Sequence, residues 1–318
     1  MRVVVVGAGA FGQQHLDALS RIDNVKVACV VDRSLKKARS VARRYHVEHA
    51  TSSLDDVLQR PDIDAVILCT PTPLHSSQAI ATLRAHKHVQ IEIPVADNWS
   101  DVLRVSEVAR TSDRICMVGH TRRFNPSHEW MHRQFVEGEL SLHHLNVQTF
   151  FMRRTNTNAL GQDRDWTDNL LWHHAAHTID LFAYQSGERI VEAQALSGPI
   201  HRTLGIFMDM SIQLKSENGK LCTLALSFNN DGPLGSYFRY ICDHGTYVAR
   251  YDDLFTGSDE PVNVSNITDV TDGVELQDRE FIAAIKENRQ PKSSLESVLD
   301  CYKILGKLQT SLSQASSR

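Results

Sequence analysis

Four valines, Val3–Val6, run directly into Gly7-Ala8-Gly9-Ala10-Phe11-Gly12, and a helical pattern follows at once. The valines suit a strand buried on both faces. Gly7 permits the tight turn that leaves it, Gly9 lets backbone approach a pyrophosphate, and Gly12 lets the next helix pack close to the strand. The helix N-terminus then offers N–H groups and the positive end of its dipole to phosphates. A lone G-x-G-x-x-G is weak evidence. Here Asp32 also closes the second apolar run, 20 residues past Gly12, where an acidic side chain meets the ribose of a dinucleotide. Gly7, Gly9, Ala10, Phe11, Gly12 and Asp32 are therefore expected to bind NAD or NADP. Asp32 suits the ribose hydroxyls of NAD, whereas Arg33 and Ser34, with Lys37 nearby, suit the 2′-phosphate of NADP.

Up to about Gly119, strand and helix patterns alternate. Buried-strand runs stand at Val3–Val6, Lys26–Val31, Ala65–Cys69, His88–Glu92 and Ile115–Gly119, with a shorter candidate at Val47–Ala50. Helical patterns lie between them, which predicts a doubly wound parallel sheet, a Rossmann α/β domain over residues 1–120. Two turns fall at carboxyl ends of strands, where ligands of such sheets bind: Cys69-Thr-Pro-Thr-Pro-Leu-His75 and Ile91-Glu-Ile-Pro-Val95.

From Thr121 the alternation stops. Asn125-Pro126 opens a helix to about Val136, a strand is expected at His143–Phe151, and a polar loop leads to Asp168. Strand-like runs follow at Ile190–Leu196, Ile206–Leu214, Leu221–Phe228 and Tyr237–Asp243, with an Asn-Gly turn in Glu217–Lys220. Consecutive strands joined by tight turns form antiparallel sheet. Leu276–Lys286 and Leu295–Leu312 read as closing helices before a frayed Ser-rich tail. The second domain, 121–318, is thus an α+β unit with a large, mostly antiparallel sheet. A sheet apolar on both faces needs a partner layer, so a homo-oligomer, a dimer through the open face, is expected.

Between the polar loop and Gly187 lies Leu170–Phe182, a helical stretch with Asp168 as its expected N-cap. At helical spacing His173, His177, Asp180 and Tyr184 share one face, with His174 beside it. Such histidines read equally well as core residues or as a site; a neutral imidazole suits a general base near neutral pH. His173 and His177 have the i, i+4 spacing of metal ligands, but no H-E-x-x-H glutamate or third ligand accompanies them, so no metal is expected. Arg122-Arg123 follow the last strand of the first domain. Arginine meets carboxylates bidentately, so they are candidates for substrate or cofactor contact, ahead of Arg153-Arg154.

Composition narrows the class. A formal net charge of −4 gives no basic footprint for nucleic acid, and no apolar run approaches a membrane span. The chain enters a strand at once, without signal-peptide features. Cys29, Cys69, Cys116, Cys222, Cys242 and Cys301 are scattered without a C-x-x-C pair. They are expected to be free thiols in a reducing compartment, the cytoplasm.

The Gly loop, Cys69–His75, Glu92-Ile93-Pro94 and His173-His-Ala-Ala-His177-Thr-Ile-Asp180-Leu181 together resemble the Gfo/Idh/MocA oxidoreductases, over essentially the whole chain. The resemblance implies cofactor contacts at Thr70, Pro71, Thr72, His75, Glu92 and Ile93, with His177 at the catalytic histidine position. Two positions depart from the family: its Glu-Lys-Pro lysine is Ile93 here, and its aspartate is His173. The runs Gly119–His128, Asp165–His177 and Ser227–Gly235 resemble one branch of that family. That likeness implies an NADP-linked oxidation of a semialdehyde carrying two carboxylates, with Trp166, Thr167, Asn169 and His174 as substrate contacts beside Arg122 and Arg123. His177 and His173 are then the catalytic pair.

Oxidising a free aldehyde ordinarily requires a cysteine adduct or a hydrated carbonyl, and no cysteine here stands in an activated setting. A semialdehyde that closes on its own enol oxygen presents a hemiacetal hydroxyl instead, and a histidine base suffices. The alternatives are a sugar or inositol dehydrogenase of the same superfamily and a sensor that holds NADP without turnover. NADPH formation separates the two classes.

Overall fold

The computed structural model describes residues 1–316 except 158–160, 162, 165, 266 and 271. The four valines lie in β1 (Arg2–Val6), all buried. β2 (Lys26–Val31), β3 (Ala50–Thr51), β4 (Ala65–Leu68), β5 (His88–Ile91) and β6 (Cys116–Val118) complete a parallel sheet of order β3-β2-β1-β4-β5-β6. The strand order reverses between β1 and β4, which opens a crevice at their carboxyl ends. The crossovers are α1 (Ala10–Leu19), α2 (Leu35–Arg44), α3 (Leu54–Leu58), α4 (His75–Arg84) and α5 (Trp99–Thr111). Ser34, Ser53 and Asn98 cap α2, α3 and α5 by accepting from the backbone N–H three residues on. α2 buries Ala38, Val41 and Ala42 and turns its arginines to solvent.

The expected strand at Val47–Ala50 shrinks to Ala50–Thr51. His46 takes a left-handed φ of 55°, and the Val47 N–H returns to the Ala42 carbonyl at 2.8 Å. That bond closes the end of α2 and takes Val47 out of the strand.

The second sheet has the order β13-β12-β11-β7-β10-β9-β8. Its strands are β7 (Leu142–Phe150), β8 (Ile190–Ser197), β9 (Asp209–Ser216), β10 (Leu221–Ser227), β11 (Gly235–Cys242), β12 (Gly245–Arg250) and β13 (Asp253–Thr256). β7 and β10 run parallel and the other neighbours antiparallel. One face buries Leu145, Val147, Ile212, Leu214, Leu224 and Phe238. The expectation of a sheet apolar on both faces fails: Asn146, Gln148, Ser211, Gln213, Thr223 and Arg239 occupy the outer face, as the alternation along β7, β9, β10 and β11 requires.

Three boundaries also move. β9 begins at Asp209 because Phe207 pairs back on Ile200. β12 and β13 were illegible locally, since their connecting turn places Tyr251 at φ 55° without a Gly or Asn to announce it. The Ser-rich segment expected to fray is helical through Ser316, and residues 317–318 lie outside the described set.

Helices α6 (Pro126–Val136), α7 (Ala176–Ser186), α8 (Gly273–Glu287) and α9 (Leu295–Ser316) complete the chain. Gly187 ends α7 in the left-handed region, φ 65°. The chain divides into two compact units: Met1–His120 with Val274–Leu299, and Thr121–Gly273 with residues from Asp300 onward. The opening stretch of the first unit ends at His120. The second stretch is not contiguous, because the segment from Val274 returns to the first unit, where Val118 N–H donates to Ser293 O at 2.9 Å.

Candidate active site

In the first unit the Gly loop takes its shape from contacts that forbid larger residues. Gly7 has φ 108°, and a Cβ there would lie 2.3 Å from the Cys69 carbonyl oxygen; one at Gly12 would lie 1.8 Å from the Gly7 carbonyl oxygen. Gly9 faces open space and caps α1 without a side chain. The first turn of α1 thus keeps its N–H groups for an outside acceptor, which fits a pyrophosphate. Phe11 is 55% exposed beside it. Asp32 accepts from Ala8 N–H at 3.0 Å and from Ser34 N–H at 2.9 Å, and Lys37 Nζ lies 3.6 Å from it. Arg33 and Ser34 are exposed at the start of α2.

The two later turns adjoin this loop in the sheet. Thr70 and Pro71 are half-buried, Thr70 donates to Gln78 at 2.6 Å, and Thr72 is buried. His75 is buried with one ring nitrogen 2.8 Å from the Pro94 carbonyl and the other 2.8 Å from the Thr70 carbonyl, so it braces the two turns against each other. Burial lowers its pKa against those two bonds. Glu92 is buried, and its Oε1 accepts from Gln277 Nε2 at 3.0 Å and faces His15 Nε2 at 3.2 Å; Ile93 beside it is half-buried. Sequence reasoning missed His15, Gln277 and Asp278. The available signal was a histidine on the buried stripe of α1, which holds Gly12, His15, Leu16 and Leu19.

In the second unit the histidine stretch begins differently from expectation. Leu170–Ala175 form a π-helical turn, and α7 starts only at Ala176. The i→i+5 pattern widens this turn and rotates His173 and His174 relative to the α-helical residues after them. The cap is Asn169, whose side-chain oxygen accepts from Trp172 N–H at 2.8 Å. Asp168, expected in that role, is instead gripped by Arg153, by Arg164 at 2.6 Å and by His174 at 3.3 Å. Two guanidinium groups and an imidazole compete with the cap for one carboxylate. Burial by itself raises the pKa of Asp168; His174 and Arg153 outweigh it and hold the group well below the usual carboxylate range. The run beginning at Asp165 includes a residue outside the described set.

His173 Nδ1 accepts from Asn169 N–H at 3.2 Å. A neutral His173 therefore carries its proton on Nε2 and presents a donor. Trp166 stacks on its ring at 5.7 Å, under the Arg164 guanidinium at 4.9 Å. His177 is half-buried, as is Thr167. His174 packs edge-on to Phe228.

The adjacent arginines part company. Arg123 is buried and bidentate to Asp180. Arg122 lies over the rings of Phe238 at 5.6 Å and Tyr251 at 4.8 Å and reaches the Asn125 amide oxygen at 3.3 Å. Among the described residues no carboxylate forms an ion pair with it, and burial lowers its pKa. Every cysteine is free; burial raises the thiol pKa at Cys29 and Cys69, and to about 12 at Cys116 and Cys242. Among the described residues no three His, Cys, Asp or Glu side chains are grouped to hold a metal, and no helix is long and apolar enough to cross a membrane.

Residues 1–120 match the oxidoreductase family with an NAD-binding Rossmann fold (Gfo/Idh/MocA), and residues 126–268 match the C-terminal domain of bacterial oxidoreductases. The chain is 58% identical over 312 residues, 98% of its length and 99% of the relative's, to the 4-carboxy-2-hydroxymuconate-6-semialdehyde dehydrogenase of Sphingobium sp. strain SYK-6. The chain belongs to the Gfo/Idh/MocA family. As a Gfo/Idh/MocA protein it is an NAD(P)-dependent dehydrogenase. Solved structures of the same fold include an oxidoreductase from Thermotoga maritima, with TM-score 0.85 at 18% identity, covering 98% of this chain and 96% of that one. Another is scyllo-inositol dehydrogenase from Lactobacillus casei with bound NAD(H) and scyllo-inositol, with TM-score 0.81 at 17% identity, covering 99% and 97%.

Proposed function

We propose that this dehydrogenase oxidises 4-carboxy-2-hydroxymuconate-6-semialdehyde, as its cyclic hemiacetal, to 2-pyrone-4,6-dicarboxylate with NADP, in the protocatechuate 4,5-cleavage route of aromatic and lignin catabolism. The identity of 58% over 98% of the chain to the dehydrogenase of that name carries the reading. Ring closure leaves a carbon bearing one hydroxyl and one hydrogen. A base takes the hydroxyl proton, the carbon hydrogen leaves with its electron pair, and the carbon becomes the carbonyl of a lactone. The bound nicotinamide supplies the hydride acceptor, so NADPH and one proton accompany the product.

His177 is the base in this reading. His173 donates from Nε2 and positions the hydroxyl or a carboxylate, a consequence of its Nδ1 contact with Asn169 N–H. Arg122, held between two rings, meets a substrate carboxylate, since the fork of Arg123 is filled by Asp180. Trp166 and Thr167 add substrate contacts, while Asn169 and His174 act through the cap and the Asp168 cluster. A thiolate route is not favoured, because burial raises the cysteine pKa values. NADP is favoured over NAD because Arg33, Ser34 and Lys37 gather at the N-terminus of α2 beside Asp32. In this reading the protein works in the cytoplasm as a dimer; the outer face of the second sheet is largely polar, and the apolar side chains that β8 offers a partner are Val191 and Leu196, exposed at 54% and 78%.

The test is NADPH formation with the hemiacetal dicarboxylate, against hexoses and inositols. Turnover confined to polyols overturns the substrate, and NADP binding without any turnover overturns the enzyme reading of this site.

A further inference from the structure

In the first unit His15, Asp278 and Glu92 form a buried charged triad. His15 Nδ1 lies 2.8 and 2.9 Å from the two oxygens of Asp278, and its Nε2 lies 3.2 Å from Glu92 Oε1. Gln90 donates to Asp278 at 2.8 Å, Gln277 donates to Glu92 at 3.0 Å, and the Cys69 thiol is the remaining polar neighbour. His15 and Asp278 have no exposure. Gly119 makes the arrangement possible, since a Cβ there would lie 2.3 Å from Glu92 Oε1. An ionised carboxylate only accepts, so a ring with a carboxylate at each nitrogen carries two protons and one charge.

Triads of this kind add little net stability, and apolar replacements of similar volume are often as good. What this one does supply is a fixed position for a carboxylate next to the two turns at the carboxyl edge of the sheet. We propose that His15 is a positioning residue of the nucleotide site: clamped by Asp278, its imidazolium holds Glu92 in place to accept from a hydroxyl or amide donor of the dinucleotide. This rests on Glu92 being a cofactor contact, as the proposed function has it. Burial opposes the charge on His15, but Asp278 and Cys69 together more than offset it, and its pKa stands well above the ordinary value. The hold on Glu92 therefore persists through neutral pH and is lost as pH rises through the folded-state pKa.

The experiment is calorimetric titration of NADP into the intact protein from about pH 7 to about pH 10, for wild type, His15→Gln, Glu92→Gln and the double variant, with Tm measured alongside. Wild-type affinity should fall about tenfold on the alkaline side, the scale of one charge-assisted hydrogen bond. His15→Gln should bind about tenfold more weakly at neutral pH with a flat profile, and the double variant no more weakly than the weaker single. A lower Tm with unchanged affinity in His15→Gln, multiplying effects in the double variant, or a flat wild-type profile would overturn the inference. If His15→Gln does not fold, the wild-type and Glu92→Gln profiles decide: sloped and flat supports it, two equal slopes overturn it. Failure of the wild type to bind NADP or NAD overturns the cofactor reading itself.

Discussion

Arg123 holds Asp180 by two parallel hydrogen bonds, Nε to Oδ2 at 2.8 Å and Nη2 to Oδ1 at 2.6 Å, with both side chains buried. The guanidinium also lies over Tyr184 at 4.6 Å, and Tyr184 stacks on His132 at 3.9 Å. The pair ties the turn at Thr121–Arg123 to α7, the helix that carries His177.

Removing one partner of such a pair strands a buried charge. Asp180→Ala and Arg123→Ala should each destabilise the protein by about 3–5 kcal/mol, read as a fall in the denaturation midpoint. Arg122→Ala should act on recognition instead, costing on the order of 2–5 kcal/mol in kcat/KM for the dicarboxylate and less for a monocarboxylate analogue. Equal losses for both substrates would remove Arg122 from carboxylate recognition.

Substitution of the histidines separates base from positioner. His177→Ala should lower kcat by about 10²–10⁴-fold with NADP affinity preserved. His173→Ala should be milder and should shift the acidic limb of the pH–rate profile. A normal kcat in His177→Ala beside an inactive His173→Ala would reverse the two roles.

The proposed preference for NADP places cofactor choice at the start of α2. Arg33→Ala should raise the KM for NADP several-fold and leave that for NAD nearly unchanged, as expected if one cation that meets the 2′-phosphate is lost. Steady-state kinetics with both cofactors decide it, and a parallel loss with both would dissociate Arg33 from specificity.

His128 makes stability depend on acid. It is fully buried, its Nδ1 lies 2.7 Å from the Tyr240 hydroxyl, and burial first, then the Arg122 charge, push its pKa well below the ordinary value. The folded protein keeps it neutral while the unfolded chain takes up a proton below about pH 6.5. Stability should therefore fall as pH drops below that point, by up to about 1.4 kcal/mol per pH unit from this group. His128→Asn should flatten that slope; an unchanged slope between about pH 7 and about pH 5 would assign the acid sensitivity elsewhere.

Much of the nucleotide-type unit was legible because its signals are local. The need for φ 108° at Gly7 and for close packing at Gly12 is written in single residues, and Asp32 ends the strand beside that loop. Gly187 likewise stops α7 where a left-handed residue is needed. The β12–β13 hairpin escaped notice because its turn departs from the residues that normally signal one.

The sequence alone determined the alternation of strand and helix, the phosphate-type loop, and the placing of His173 and His177 on one short stretch, since each depends on neighbours a few residues apart. Only the tertiary structure decided partners. Asp278 meets His15 from 263 positions away, Asp180 is spent on Arg123 from 57 positions away, and Asp168 leaves the helix cap to Asn169 because Arg153 and Arg164 reach it first. Which carboxylate pairs with which cation depends on burial and on chain segments that come together only in the fold, and no local pattern encodes that choice.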